Sequence, residues 1–193
     1  MVYDKGLENM KNILIGITGA SGSIYGIHLL RELKKKEMNV HLILSQTAKG
    51  IIPYETKTSI EEVTSFSNIN YEDDDLFAGP ASGSFSLDAM VIVPCSMKTI
   101  SAIANGYTNT LISRSAVCML KENKPLIVVP RETPFDLIAL KNMIRIHEAR
   151  GIVLPANPGF YHKPEKISDI VDFIVGKIFD QLSIPHNLFK PWE

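Results

Sequence analysis

Cysteine is scarce in this chain: 193 residues hold only Cys95 and Cys118. Two such residues make no disulfide framework, and neither stands in a C-x-x-C pair. The five histidines, His28, His41, His147, His162 and His186, are scattered. None pairs with another at the H-x-x-H or H-x-x-x-H spacing that sets two imidazoles on one helix face, so no metal site is expected. An excess of one charge sign is also missing, with 20 Lys+Arg against 21 Asp+Glu. That balance offers no basic surface to nucleic acid or to a membrane. No apolar run approaches the roughly 20 residues that span a bilayer. Residues 1–10, MVYDKGLENM, are polar and mixed in charge, without the apolar segment of a signal peptide. The expectation is a cytoplasmic protein with reduced thiols, a flexible extension over residues 1–10 and one domain over residues 11–193.

What the chain does contain is alternation. Short β-branched runs at residues 13–17, 40–44, 89–93, 126–129 and 152–154 predict five strands. Helical patterns lie between and after them, at 23–36, from about 99, at 111–121, at 135–149 and at 168–182, the last with Ser168 as its expected N-cap. Residues 51–86 look less regular, with an acidic patch at 72–75 and the segment AGPASGS at 78–84. Strands alternating with helices imply an α/β fold of three layers, a mostly parallel sheet with helices on both faces. In such sheets ligands bind beyond the carboxyl ends of the strands. The polar segments that follow the strands therefore belong on one edge: GASGS, Ser45-Gln46-Thr47, PCSMKT, PRETP and PANPGFY.

Each segment has a chemical reading and a plainer one. Thr18 to Gly22 follows a strand and opens a helix, where free N–H groups and a helix dipole suit a phosphate; the plainer reading is a tight turn. It is not an ATP P-loop, because no lysine follows the last glycine. Nor is it the dinucleotide fingerprint, since the second strand ends in Ser45 rather than in a carboxylate. Ser96 to Thr99 repeat the anion-binding pattern or simply cap a helix. Arg131 and Glu132 follow a strand between prolines, where Arg131 offers a fork to phosphate oxygens and Glu132 can exchange protons. Tyr161 either donates to a phosphate or packs under its loop, and Lys177 is either a ligand or a solvated lysine. Cys95 reads as a small buried residue rather than a nucleophile.

Taken together, GITGASGSIYG (16–26), PASGS (80–84), VIVPCSMKTISAIANG (91–106), PLIVVPRETPF (125–135) and LPANPGFYHKP (154–164) resemble the UbiX-type flavin prenyltransferases. The resemblance runs in order from about residue 11 to residue 192. It implies a flavodoxin-like or Rossmann-like domain that binds FMN and assembles as a homo-dodecamer. It implies transfer of a dimethylallyl group from dimethylallyl phosphate to N5 and C6 of reduced FMN, without a metal. The prenylated FMN would pass to a UbiD-type decarboxylase. By the same resemblance Gly19, Ala20, Ser21, Ser45, Ser96, Met97, Lys98, Thr99 and Arg131 contact FMN. Tyr161 and Lys177 hold the prenyl phosphate, Arg114 and Lys121 complete that site across a subunit boundary, and Ser21 and Glu132 handle protons. Two positions depart from some members of the family. Lys177 stands where they have arginine, and Leu76 where they have tryptophan.

Two other classes compete with this reading. A flavin-dependent cysteine decarboxylase would share the fold, but such proteins carry a histidine after the second strand, and residues 45–90 contain none. A non-enzymatic FMN carrier or storage protein would need no site for an alkyl phosphate.

Overall fold

A computed structural model describes residues 12–192. The expected extension over residues 1–10 lies outside the described residues. Six strands form one parallel sheet in the order β3-β2-β1-β4-β5-β6. They are β1 (Asn12–Ile17), β2 (Asn39–Leu44), β3 (Ile69–Glu72), β4 (Ala89–Cys95), β5 (Leu126–Pro130) and β6 (Ile152–Val153). The helices are α1 (Ser23–Lys35), α2 (Gln46–Glu55), α3 (Ile60–Thr64), α4 (Met97–Ala104), α5 (Leu111–Lys121), α6 (Leu137–Glu148) and α7 (Ile167–Gln181).

The sheet is covered on both sides, so its central strands are apolar at nearly every position. Period-two alternation sorts their side chains between two cores. Ile13, Ile15 and Ile17 of β1 join Val91 and Val93 in the core under α1 and α7. Leu14, Ile92 and Val128 join the core under α4, α5 and α6. Crossovers from β1 to β2 and from β4 to β5 thus leave the sheet on opposite faces. The reversal between β1 and β4 opens a crevice at their carboxyl ends, the usual ligand position in such folds.

The five expected strands all form, with ends moved by one or two residues. The sixth, β3, is an addition to the expectation. Without β3 the order is 2-1-3-4-5, the flavodoxin arrangement; with it, the order is that of a dinucleotide-binding fold. The region expected to be irregular also contains α2, α3 and a 3₁₀ turn at Gly79–Ala81. One cap is corrected. The last helix starts at Ile167, and the Asp169 carboxylate, rather than Ser168, accepts from the backbone N–H groups of Glu165 and Lys166.

Gly26 shows why α1 can lie close to the sheet. A Cβ there would sit 2.4 Å from the Val93 carbonyl oxygen. Any side chain would push the helix off β4, and the start of α1 would leave the crevice with it.

Candidate functional site

The crevice holds a cavity of about 440 Å³. Its walls come from the segments after four strands: Thr18 and Gly19, Ser45 to Thr47, Asp73 and Asp74, then Ser96, Lys98 and Thr99. The size falls within the roughly 300–1,000 Å³ of small-molecule sites. Ser45 and Ser96 each cap a helix, accepting from Ala48 N–H at 3.1 Å and from Thr99 N–H at 3.3 Å. The capping and the ligand readings of these serines therefore coexist, since both also line the cavity.

Thr18 holds this arrangement together. Its buried hydroxyl donates to Pro94 O at 2.8 Å and accepts from Ser96 N–H at 2.8 Å. One side chain thus fixes the segment after β1 against the segment after β4, on either side of the crevice.

Asp73 directly follows β3, the strand that the sequence did not announce. Its Oδ1 accepts from Ile112 N–H at 2.9 Å at the start of α5. Burial raises its pKa, and hydrogen bonds from Ile112 and Thr110 with the nearby Lys98 charge offset this only in part. The sequence signal for Asp73 was the acidic patch, which carried no spacing that tied it to the crevice.

Of the other residues expected to contact FMN or move protons, Ala20, Ser21, Met97, Arg131 and Glu132 do not line this cavity. Arg131 reaches from β5 to the first loop, where its Nε donates to Ser21 O at 3.0 Å. The neighbour of Ser21 is an unexpected carboxylate. Glu55, at the end of α2, accepts from Gly22 N–H at 2.9 Å, Ser23 N–H at 3.1 Å and the Ser23 hydroxyl at 2.9 Å. Ser21 hydrogen-bonds it as well. Gly22, with φ +100°, caps α1 without a side chain, and Glu55 supplies the missing acceptor. Partial burial of Glu55 opposes its charge, but these hydrogen bonds prevail and lower its pKa. Glu132 is exposed and accepts from the next residue, Thr133 N–H, at 3.1 Å. The chain thus brings Glu55, not Glu132, to Ser21. No local motif marks Glu55, because 33 residues separate it from Gly22.

Tyr161 and Lys177 line a second cavity, of about 510 Å³, between α7 and the C-terminal segment. Lys177 Nζ donates to Asp180 at 2.6 Å, and the Tyr161 ring meets Trp192 edge to face at 5.5 Å. Arg114 and Lys121 line neither cavity. They lie two turns apart on α5, against the turn that carries PASGS: Arg114 Nε donates to Ala81 O at 2.9 Å. Among the described residues no cluster of three or more metal-ligating side chains occurs, and no helix is long and apolar enough to cross a membrane.

Comparison with known proteins agrees with this architecture. A family model described as Flavoprotein matches residues 3–179. Flavin prenyltransferase UbiX of Thermoplasma acidophilum is 48% identical over 180 residues, which are 93% of this chain and 99% of that one. A crystal structure of AnUbiX (PadA1) in complex with FMN and dimethylallyl pyrophosphate superposes with a TM-score of 0.93 at 38% identity, covering 95% of this chain and 97% of the other. A dodecameric FMN-dependent Ubix-like decarboxylase from Escherichia coli O157:H7 superposes with a TM-score of 0.92 at 36% identity, covering 94% and 99%. This chain belongs to the flavoprotein family, in its flavin prenyltransferase UbiX group.

Proposed function

We propose that this protein is a flavin prenyltransferase that joins a dimethylallyl group, taken from a dimethylallyl phosphate ester, to N5 and C6 of reduced FMN. The observation that carries this reading is the hydroxyl-rich crevice at the reversal of strand order, in a chain that matches flavin prenyltransferases along almost its whole length. The residues present suit FMN. Lys98, the hydroxyls of Ser96 and Thr99 and the N-terminus of α4 offer donors to a phosphate, while Ser45 and Asp73 suit a polyol. Bound there in reduced form, FMN supplies the nucleophilic nitrogen and carbon of the reaction.

The chain's own residues do the rest. In the donor, the bond from the allylic carbon to the ester oxygen breaks, and the phosphate leaves with the electron pair. Lys177 and Tyr161 would receive that charge, joined by Arg114 and Lys121 from a neighbouring subunit, since neither lines a cavity in the single chain. Phe189 and Trp192 give the second cavity an apolar side against which the allyl group can lie. Bond formation at C6 displaces a proton. Ser21 Oγ would take it while passing its own proton to the ionised Glu55, with Glu132 as a second acceptor.

This reading extends to a homo-dodecamer in the cytoplasm that passes its product to a UbiD-type decarboxylase. The unpaired, buried Cys95 and Cys118 support a reducing compartment. The decisive experiment incubates the protein with FMN, dithionite and dimethylallyl phosphate without oxygen and weighs the flavin. Expected is FMN heavier by one dimethylallyl unit. Unaltered FMN with every phosphorylated donor would defeat the proposal.

A further inference from the structure

The second cavity contains an arrangement that the transfer reaction alone does not require. Lys177 is the only ammonium or guanidinium among the described residues that line it, and Asp180 is the only carboxylate. Asp180 Oδ2 accepts from Lys177 Nζ at 2.6 Å, and Oδ1 lies 3.0 Å from His186 Nε2. The tautomer of His186 is fixed by its other nitrogen. Leu188 N–H donates to Nδ1 at 3.2 Å, so in the neutral ring the proton sits on Nε2 and points at Asp180. The imidazole is enclosed between Phe179 and Phe189, with its side chain only 9% exposed. A rigid ring thus anchors one carboxylate oxygen while the other holds the lysine. Partial burial of Asp180 opposes its charge, yet the bonds from Lys177 and His186 keep its pKa below the ordinary value.

This pairing cancels the one fixed positive charge that the chain's own described lining gives the cavity. A phosphate that docks on Lys177 must approach a carboxylate already bonded to the same ammonium. The repulsion grows with the charge of the incoming group, so it weighs more on a diphosphate than on a monophosphate. We propose that Asp180, anchored by His186, is a specificity-determining residue that restrains Lys177 and biases this cavity against highly charged phosphate esters. The inference rests on the functional reading above, because it takes Lys177 as the phosphate-binding group.

Asp180→Asn tests it. The amide oxygen can still accept from Lys177, while its NH2 then faces His186 Nε2, so the variant removes both the negative charge and the imidazole anchor. Inorganic phosphate and inorganic pyrophosphate are titrated by calorimetry into FMN-saturated protein at low ionic strength. The expected result is a Kd for pyrophosphate about tenfold lower in the variant and a Kd for phosphate only about threefold lower, a gap that closes in high salt. The gap must also vanish when Lys177→Met is added to Asp180→Asn. Equal gains for both anions, no gain, no measurable phosphate binding, or a gap that persists without Lys177 would each overturn the inference. Anion binding is read without turnover. A protein that binds in the expected pattern but never prenylates FMN would sink the functional reading and leave this one standing.

Discussion

The two cavities are built from different materials. The crevice at the strand tips is made of backbone, small hydroxyls and helix starts, fixed by the sheet beneath and by one buried threonine. The cavity beside α7 is made of long side chains whose positions depend on one another: Tyr161 on Trp192, Lys177 on Asp180, Asp180 on His186. The first kind of site costs little to keep organised, because folding of the core already orders it. The second can be retuned by one surface substitution without loss of the fold. On the proposed function the ligands would follow the same division, a large planar molecule in the rigid slot and a small phosphoester where charge is adjustable.

That contrast can be broken first at its stiff end. Gly26→Val places atoms where the Val93 carbonyl oxygen and Ile17 side chain already are, 2.4 Å and 2.8 Å from a new Cβ. We expect a loss of about 3 kcal/mol or more in chemical denaturation, the upper range for overpacking. A loss below about 1 kcal/mol would show that α1 moves freely on the sheet. Thr18→Val keeps the shape but leaves Ser96 N–H without its side-chain acceptor. The expected cost is about 1–3 kcal/mol, with weaker FMN retention measured by fluorescence titration. Stability that falls while FMN affinity stays unchanged would mean the tie serves the fold alone.

At the adjustable end the two readouts should separate. Lys177→Met is expected to raise KM for dimethylallyl phosphate by about tenfold to a hundredfold, the effect of one lost charge-assisted hydrogen bond. The side chain is half-exposed, so the melting temperature should stay close to the parent's. A parallel fall in stability would place Lys177 in the scaffold instead.

The same division explains what could be read from the sequence. Strands β1, β2, β4 and β5 are buried on both faces, so their apolar runs announce them. The edge strand β3, Ile-Asn-Tyr-Glu, has one half-buried and three exposed residues and carries no such run. Helix α2 includes Gly50 and Pro53, which hide it from propensity arguments, and α3 has only five residues. The crevice was legible because its serines and threonines follow legible strands. Asp73 and Glu55 were not, since one follows the hidden strand and the other ends the hidden helix. The relation of Asp180 to Lys177 is a plain i,i+3 pair in sequence. Only the fold of residues 184–192 back over α7 puts it beside Tyr161 in one cavity.

The smallest expected effect concerns Glu55, a long side chain that holds the start of α1. Its folded pKa lies below the ordinary 4.5, because hydrogen bonds from Ser21, Gly22 and Ser23 outweigh the opposing effect of partial burial. In the unfolded chain those bonds are gone and the ordinary value returns. Between the two values the unfolded state binds more protons, so stability drops as pH drops through that window. The contribution of Glu55 is therefore fully present above about pH 4.5 and is lost as pH drops through the lower folded value. Glu55→Gln removes the titration while keeping an acceptor oxygen for the α1 N-terminus. Melting temperatures of parent and variant, followed from pH 7 downward, should differ slightly near neutrality and converge as pH falls through the lowered folded pKa of Glu55. A difference that stays constant across that range would mean the Glu55 charge adds nothing to the cap, and that the start of α1 is held by sheet packing alone.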